Sequence, residues 1–174
     1  MPTPERTSFA QIVAAGREIL EHTGPGGLTM QSVAERVGVR APSLYKRVRD
    51  RDALVTAVAA ATLDDLTERL EASDRSLESL ARVYRAFAHE RPEGFRLMFA
   101  TAVPQQALDR AGATIVGSAG AIAGGEHALE AARLVAAWVT GFLQMELAGA
   151  FRLGGDVDDA FEYGLVTLQR GLRA

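Results

Sequence analysis

Six basic side chains, Arg36, Arg40, Lys46, Arg47, Arg49 and Arg51, fall in one short stretch that holds a single acidic residue, Asp50. Ser43 and Tyr45 stand among them, and Thr29 lies just upstream. An arginine fork pairs two-pronged with phosphate or guanine, and hydroxyls donate to phosphate oxygens. The chemistry this set offers is recognition of a polyanion. Lys46 is the only lysine in the chain; every other basic side chain is an arginine.

The positive charge is local. Residues 1–55 carry eight Lys and Arg against six Asp and Glu, whereas the remainder carries eleven against sixteen, and the whole chain of 174 residues has a net charge of −3. Other chemistries lack their residues. There is no cysteine, which removes thiol nucleophiles, disulfides and zinc–thiolate sites. His22, His89 and His127 are scattered, with no pair at metal-ligand spacing, so neither a metal nor a cofactor is expected. No nucleophile is paired with a base, and no enzyme activity is expected. The glycine-rich run 112–125 lacks the lysine of a phosphate loop and the GxGxxG order, and reads as a flexible loop or a loosely packed helix.

Helices position the basic set. Phe9, Ile12, Gly16, Ile19 and Leu20 recur at steps of three and four, predicting a first helix that "TGPGG" (23–27) stops. Thr29 then sits as N-cap of a short helix with Val33, Ala34 and Val37, ended by Gly38. Pro42 belongs in the first turn of a third helix, which holds Leu44, Tyr45 and Val48 and ends near Arg49. Asp50 caps a fourth from about Arg51 to Ala72, with Leu54, Val58, Leu66 and Leu70 on its apolar stripe. Further helices are expected at about Leu77–Glu90, at "EGFRLMFATA", from Pro104 onward, at about His127–Leu153 and at Val157–Leu172 with Asp156 as cap. No alternating β pattern of useful length occurs, so the fold class is all-α.

A short helix, a glycine turn and a second short helix form a helix-turn-helix at about 29–48. In that arrangement the second helix lies in a DNA major groove and offers its N-terminal residues to the bases. Here these are Arg40, Ala41, Pro42 and Ser43, followed by Tyr45, Lys46 and Arg47, with Leu44 and Val48 turned inward. The alternative is a small helical ligand-binding protein or enzyme whose basic cluster takes a phosphorylated substrate.

"GLTMQSVAERVGVRAPSLYKRVRDRDAL" (27–54) resembles the DNA-binding domain of the tetracycline-repressor (TetR) family. The "GLT" lead-in, the "VA" pair, the "GV" turn, "PSLY", the Val three residues after the Tyr and "RDAL" carry the likeness. It spans residues 6–60 and continues more loosely to the C-terminus. There, "WVTGFLQMELAGAF" and "DVDDAFEYGLVTLQRGL" look like the last two helices of one regulator branch, with Thr140 where a His is frequent. The resemblance implies a dimeric transcriptional regulator, usually a repressor, whose C-terminal domain binds a small molecule. Two recognition helices in a homodimer would read a near-palindromic double-stranded DNA operator. The absence of a signal-peptide pattern or membrane span leads to the expectation of a cytoplasmic protein. The resemblance places Arg40, Ala41, Pro42, Ser43, Tyr45, Lys46 and Arg47 on DNA, with Thr29 and Arg51 on phosphate. Many relatives have Lys at position 51 and an aromatic or His at 46 and 47, so a different operator sequence is expected here.

The expected organisation is an N-terminal three-helix DNA-binding domain, residues 1–50, joined to a helical ligand-binding and dimerisation domain, 51–174. Tyr84, Phe87, Phe95, Met98, Phe99, Trp138, Phe142 and Met145 are the candidate lining of an effector site. The last three recur at helical spacing with no ionisable residue on their stripe until Arg152, predicting a small, mostly apolar effector. Ala137, Gly141, Ala148 and Gly149, with Leu165, Leu168 and Leu172, are expected to meet a second copy. The N-terminus has no signal-peptide pattern and no stretch suggests a membrane span, so no membrane partner is expected.

Overall fold

Serine 8 starts the first helix by a reciprocal cap: its hydroxyl accepts the N–H of Gln11 at 3.2 Å, and the Gln11 side chain accepts the Ser8 N–H at 2.8 Å. In this computed structural model, which describes residues 7–173, the elements are helices without strands among those residues. They are α1 (Phe9–Gly27), α2 (Met30–Arg36), α3 (Ala41–Leu44), α4 (Arg51–Glu71), α5 (Leu77–Glu90), α6 (Pro92–Ala100), α7 (Gln105–Ala123), a 3-10 turn (Gly125–His127), α8 (Ala128–Leu147) and α9 (Val157–Leu172).

Two compact units form. One holds the chain through Asp65 together with Arg91–Ala107; the other holds Leu66–Glu90 and the chain from Leu108 onward. The core of the first unites Ile12, Leu20 and Ile19 of α1, Val33 and Ala34 of α2, Leu44, Val48, Leu54 and Val58, and Leu97 of α6. Gly16 lets α1 and α4 meet closely, since a Cβ there would lie 2.7 Å from Val58 Cγ2. Phe9, expected inward, is instead 49% exposed, because it lies in the first turn, at the edge of the buried stripe.

In the second unit α8 buries Ala131, Ala132, Val135, Val139 and Leu143, and α9 buries Phe161 and Leu165. Trp138 stacks on Phe161 with ring centroids 5.5 Å apart, and Gly164 makes the room: a Cβ there would sit 2.2 Å from the indole. α7 is the loosely packed form of the two expected for residues 112–125. It buries only Ala111 and Ala119, and Ile115, Val116 and Ala123 pack around Ala119, Ala131 and Ala132.

Three local expectations shift. α1 runs on to Gly27, but Gly24, at φ +70°, kinks it where the break was expected. α8 stops at Leu147, short of the expected Leu153. Gly149 at φ +62° closes it, with Gly149 N–H donating to Glu146 O at 2.9 Å and Ala150 N–H to Met145 O at 2.9 Å. Leu165, expected on a face shared with a second copy, is fully buried in its own unit, and Leu172 packs on the Ala119–Ala131–Ala132 cluster.

Candidate nucleic-acid interface

Thr29 and Ser32 cap α2 for each other: the Ser32 N–H donates to Thr29 Oγ1 at 3.0 Å, and the Thr29 N–H to Ser32 Oγ at 3.0 Å. The far end closes through Gly38. At φ +72° it lets Val39 N–H reach back to Ala34 O at 3.0 Å and its own N–H reach Glu35 O at 3.2 Å. Only glycine takes that conformation freely, so Gly38 sets the angle at which the chain leaves α2.

Arg40, with extended φ −81° and ψ 143°, starts α3, and Pro42 sits in its first turn. The helix is shorter than the expected run to Arg49. Its α-helical part is one turn, Ala41–Leu44, followed by a turn in which Arg47 N–H and Val48 N–H both donate to Leu44 O at 2.8 Å. The ψ of Tyr45 has opened to −15°, which tightens the backbone from an α to a 3-10 step. Leu44 and Val48 are 1% and 3% exposed, anchored in the first core. Arg40, Pro42, Ser43, Tyr45, Lys46 and Arg47 are all exposed, and Ala41 is half-buried. Two buried side chains thus hold the segment while its polar set stays exposed.

Arg40, Ser43, Lys46 and Arg47 line one shared depression, whose floor includes Ile12 and Leu44, together with Thr7, Gly38 and Val39. Of the last three, Gly38 and Val39 are legible as the glycine turn, and only Thr7 has no sequence signal of its own. Thr7 arrives from the chain start, and Gly38 and Val39 belong to the turn. Thr29 and Arg51 stand outside this depression, at the heads of α2 and α4. The basic residues are not equally free. Arg36 pairs with Glu18, and Arg49 with Asp50 at 2.6 Å. No described residue pairs with Arg40 or Lys46. Asp50 is less a repulsive charge than a cap: its Oδ1 accepts the Ala53 N–H at 2.8 Å. That bond, with Arg49 beside it, holds its carboxyl below the ordinary range.

The candidate effector residues divide between the units. Phe95, Met98 and Phe99 belong to the first, where the Phe95 and Phe99 rings meet edge-on at 5.4 Å. Tyr84, Phe87, Trp138, Phe142 and Met145 belong to the second. There Phe87 is fully buried beneath the Arg69 guanidinium, 5.3 Å from its ring centre. Phe142 packs against Trp138, Phe151 and Phe161, and Met145 is 48% exposed. The Tyr84 hydroxyl shares a hydrogen bond with Thr140 Oγ1 at 3.4 Å, and burial pushes its pKa up to about 12.

Sequence reasoning missed a polar junction in the second unit, because its members lie far apart in the chain. Arg85 donates from Nε to Glu146 at 3.1 Å and from Nη2 to Asp158 at 2.6 Å, and its guanidinium lies 4.8 Å from the Phe161 ring centre. His89 Nε2 approaches Glu146 at 3.3 Å, and Arg82 pairs with Glu162 at 2.7 Å.

A family profile described as bacterial regulatory proteins, tetR family, matches residues 12–58, and one described as tetracyclin repressor-like, C-terminal domain, matches residues 77–168. The tetracycline repressor protein class A from transposon 1721 in Escherichia coli is 30% identical over 159 residues, covering 86% of this chain and 73% of its own. An uncharacterized HTH-type transcriptional regulator of Mycobacterium tuberculosis is 30% identical over 95 residues, and the match spans 51% of this chain but 44% of that relative. Among solved structures, a TetR variant from Acinetobacter baumannii AYE in complex with minocycline superposes with a TM-score of 0.72 at 26% identity. That match covers 97% of this chain and 99% of the other. A Rhodococcus protein of unknown function shares the fold with a TM-score of 0.77 at 24% identity, covering 99% and 100% of the two chains.

Proposed function

Because the chain belongs to the TetR family of ligand-responsive, DNA-binding transcriptional regulators, we propose that it represses transcription as a homodimer on a near-palindromic operator. The observation that carries this reading is the exposed polar array at α3. Leu44 and Val48 anchor the segment in the core, while Arg40, Ser43, Lys46 and Arg47 stay exposed around one shared depression. Set in a major groove, such an array offers forked donors to base edges and charge to phosphates. Ala41, Pro42 and Tyr45 complete the surface. Thr29, whose hydroxyl donates to Ser32 Oγ at 3.0 Å, stands against a phosphate at a helix start, where backbone N–H groups favour an anion.

A second copy has a place to bind. Leu134 and Met145 are about half exposed, Ala137 and Gly141 recur between them at helical steps on α8, and Ala148 is the residue that caps it. Tyr163, 75% exposed, and Val166 give α9 a matching apolar face. A near-palindromic operator needs two α3 segments on successive turns of one DNA face, about 34–36 Å apart.

The effector is a small, mostly apolar molecule held by the C-terminal domain, residues 51–174, with the N-terminal residues 1–50 reading DNA. A likeness to a protein solved with minocycline supports a small-molecule site in this fold. No helix among the described residues is long and apolar enough to cross a membrane, and a repressor works where the chromosome is, in the cytoplasm.

The test is selection of duplexes from a random pool, followed by a salt titration on the enriched sequence. Log affinity should fall linearly with log salt, by several ion equivalents. A chain that enriches no sequence, or binds without salt dependence, refutes the reading.

A further inference from the structure

Arg51 stands where the family resemblance places a phosphate contact. Although the residue is exposed, its N–H groups donate to backbone carbonyls of its own unit. Its Nε donates to Leu28 O at 2.9 Å and its Nη2 to Pro25 O at 2.6 Å. Both acceptors lie in the turn that ends α1. A helix end leaves its last carbonyls without intrahelical donors, and it carries partial negative charge. α1 has no basic residue in its last turn to answer that charge. Within the turn, Ser32 Oγ takes Gly27 O at 2.7 Å, and Arg51 takes the carbonyls on either side of it, Pro25 and Leu28.

The bond to Leu28 joins residues 23 apart in sequence. Thr29, the cap of α2, follows Leu28 directly, and α4 begins at Arg51 itself. Everything between them is the helix-turn-helix, residues 29–50. Arg51 therefore ties together the two points at which that segment enters and leaves the rest of its unit. We infer that Arg51 is a positioning residue: by clamping Pro25 O and Leu28 O it fixes the entry of α2 relative to the start of α4, and so the presentation of the α3 face to DNA. The inference rests on the DNA-binding reading above.

The side-chain type matters. A guanidinium presents Nε–H and Nη–H along one planar edge, and that fork spans two carbonyls in fixed geometry. An ammonium is a single donor centre, so lysine keeps the charge and loses the span. A phosphate contact needs mainly the charge, and a clamp needs the fork.

The experiment compares Arg51→Lys and Arg51→Gln with the wild-type chain. Operator affinity is read against salt on a duplex enriched by the wild-type protein, and amide hydrogen exchange is read on the free protein. The clamp requires both variants to bind the operator about tenfold or more weakly. The salt slope should stay that of the wild type, and amide exchange should quicken at Val33 and Val39 but not at Ile19. Three results overturn it: wild-type affinity in Arg51→Lys, a slope lowered by about 0.9 in Arg51→Gln, which marks a lost phosphate contact, or a lower melting temperature with operator affinity unchanged. If the wild-type protein enriches no duplex, the functional reading fails. The clamp is then judged by exchange alone, with quickening at Val33 and Val39 supporting it and unchanged exchange overturning it.

Discussion

The Glu21 carboxylate accepts the backbone N–H of Gly94 at 2.8 Å, so a side chain of α1 caps the start of α6. It also accepts the Glu93 N–H, at 3.2 Å. Arg91, the residue at the cap position of α6, makes no side-chain cap bond, and Glu21 takes its place. The approach requires glycine, because a Cβ on residue 94 would lie 2.9 Å from both Glu21 Oε1 and Thr62 Cγ2.

Gly94→Ala should therefore destabilise the protein by about 1–3 kcal/mol through overpacking. Glu21→Ala should cost about 1–2 kcal/mol through the lost cap. Urea unfolding of both single variants and the double variant should give less than the sum, since trimming Glu21 makes room for the new methyl group.

Leu44→Ala removes a side chain from a closed core and should cost about 2–5 kcal/mol. The adjacent Tyr45 is 54% exposed. Tyr45→Phe should leave stability within about 0.5 kcal/mol while weakening operator binding. Thermal unfolding and operator titration on the same preparations separate the two residues; equal losses of stability would contradict the split between buried anchor and exposed array.

Burial alone would raise the Glu146 carboxyl. The hydrogen bonds from Arg85 and His89 outweigh it and hold the group below its ordinary range. A carboxyl lowered in the folded state contributes stability above its unfolded pKa and loses it as pH falls through the folded value. The side chains of Arg85 and Glu146 are 17% and 10% exposed, so removing one partner leaves a largely buried charge or donor. Glu146→Gln should cost about 3 kcal/mol at pH 7. The gap to wild type should close as pH drops below 4.5, the unperturbed value of that group. A gap that stays constant down to acid unfolding would assign the loss to packing.

Tyr84 titrates in the opposite sense. Its pKa is pushed up to about 12 from 10.0, so between these values the unfolded chain loses a proton that the folded chain keeps. Stability from this group is complete below pH 10 and is lost as pH rises toward 12. Ultraviolet difference titration of wild type against Tyr84→Phe should show the missing phenol ionising near 12; ionisation near 10 would contradict the buried placement.

Much of this was legible because local rules and tertiary packing agree. α5 and α9 begin and end where periodicity and caps put them, and Gly38, Asp50 and Asp156 perform the terminal roles their types suggest. Leu44 and Val48 followed from the same period. Periodicity names an apolar face but not what covers it. Leu165 was assigned to a second copy and is covered by its own unit; Tyr163 and Val166, beside it, remain exposed. Ionic partners have no periodic trace at all. Glu21 meets a backbone 73 residues away and Arg85 meets Glu146 across 61, distances that only the folded chain collapses. At Arg51 the type suggested charge, and the two carbonyls that engage it offered no side-chain signal.

Lys46, exposed and lining the depression on α3, bears the chain's one side-chain amine. Among the side chains of residues 1–174, a mild amine-acylating reagent should therefore tag the recognition segment. Labelling at Lys46 then becomes a built-in occupancy gauge: brisk on the naked protein and suppressed under a bound duplex.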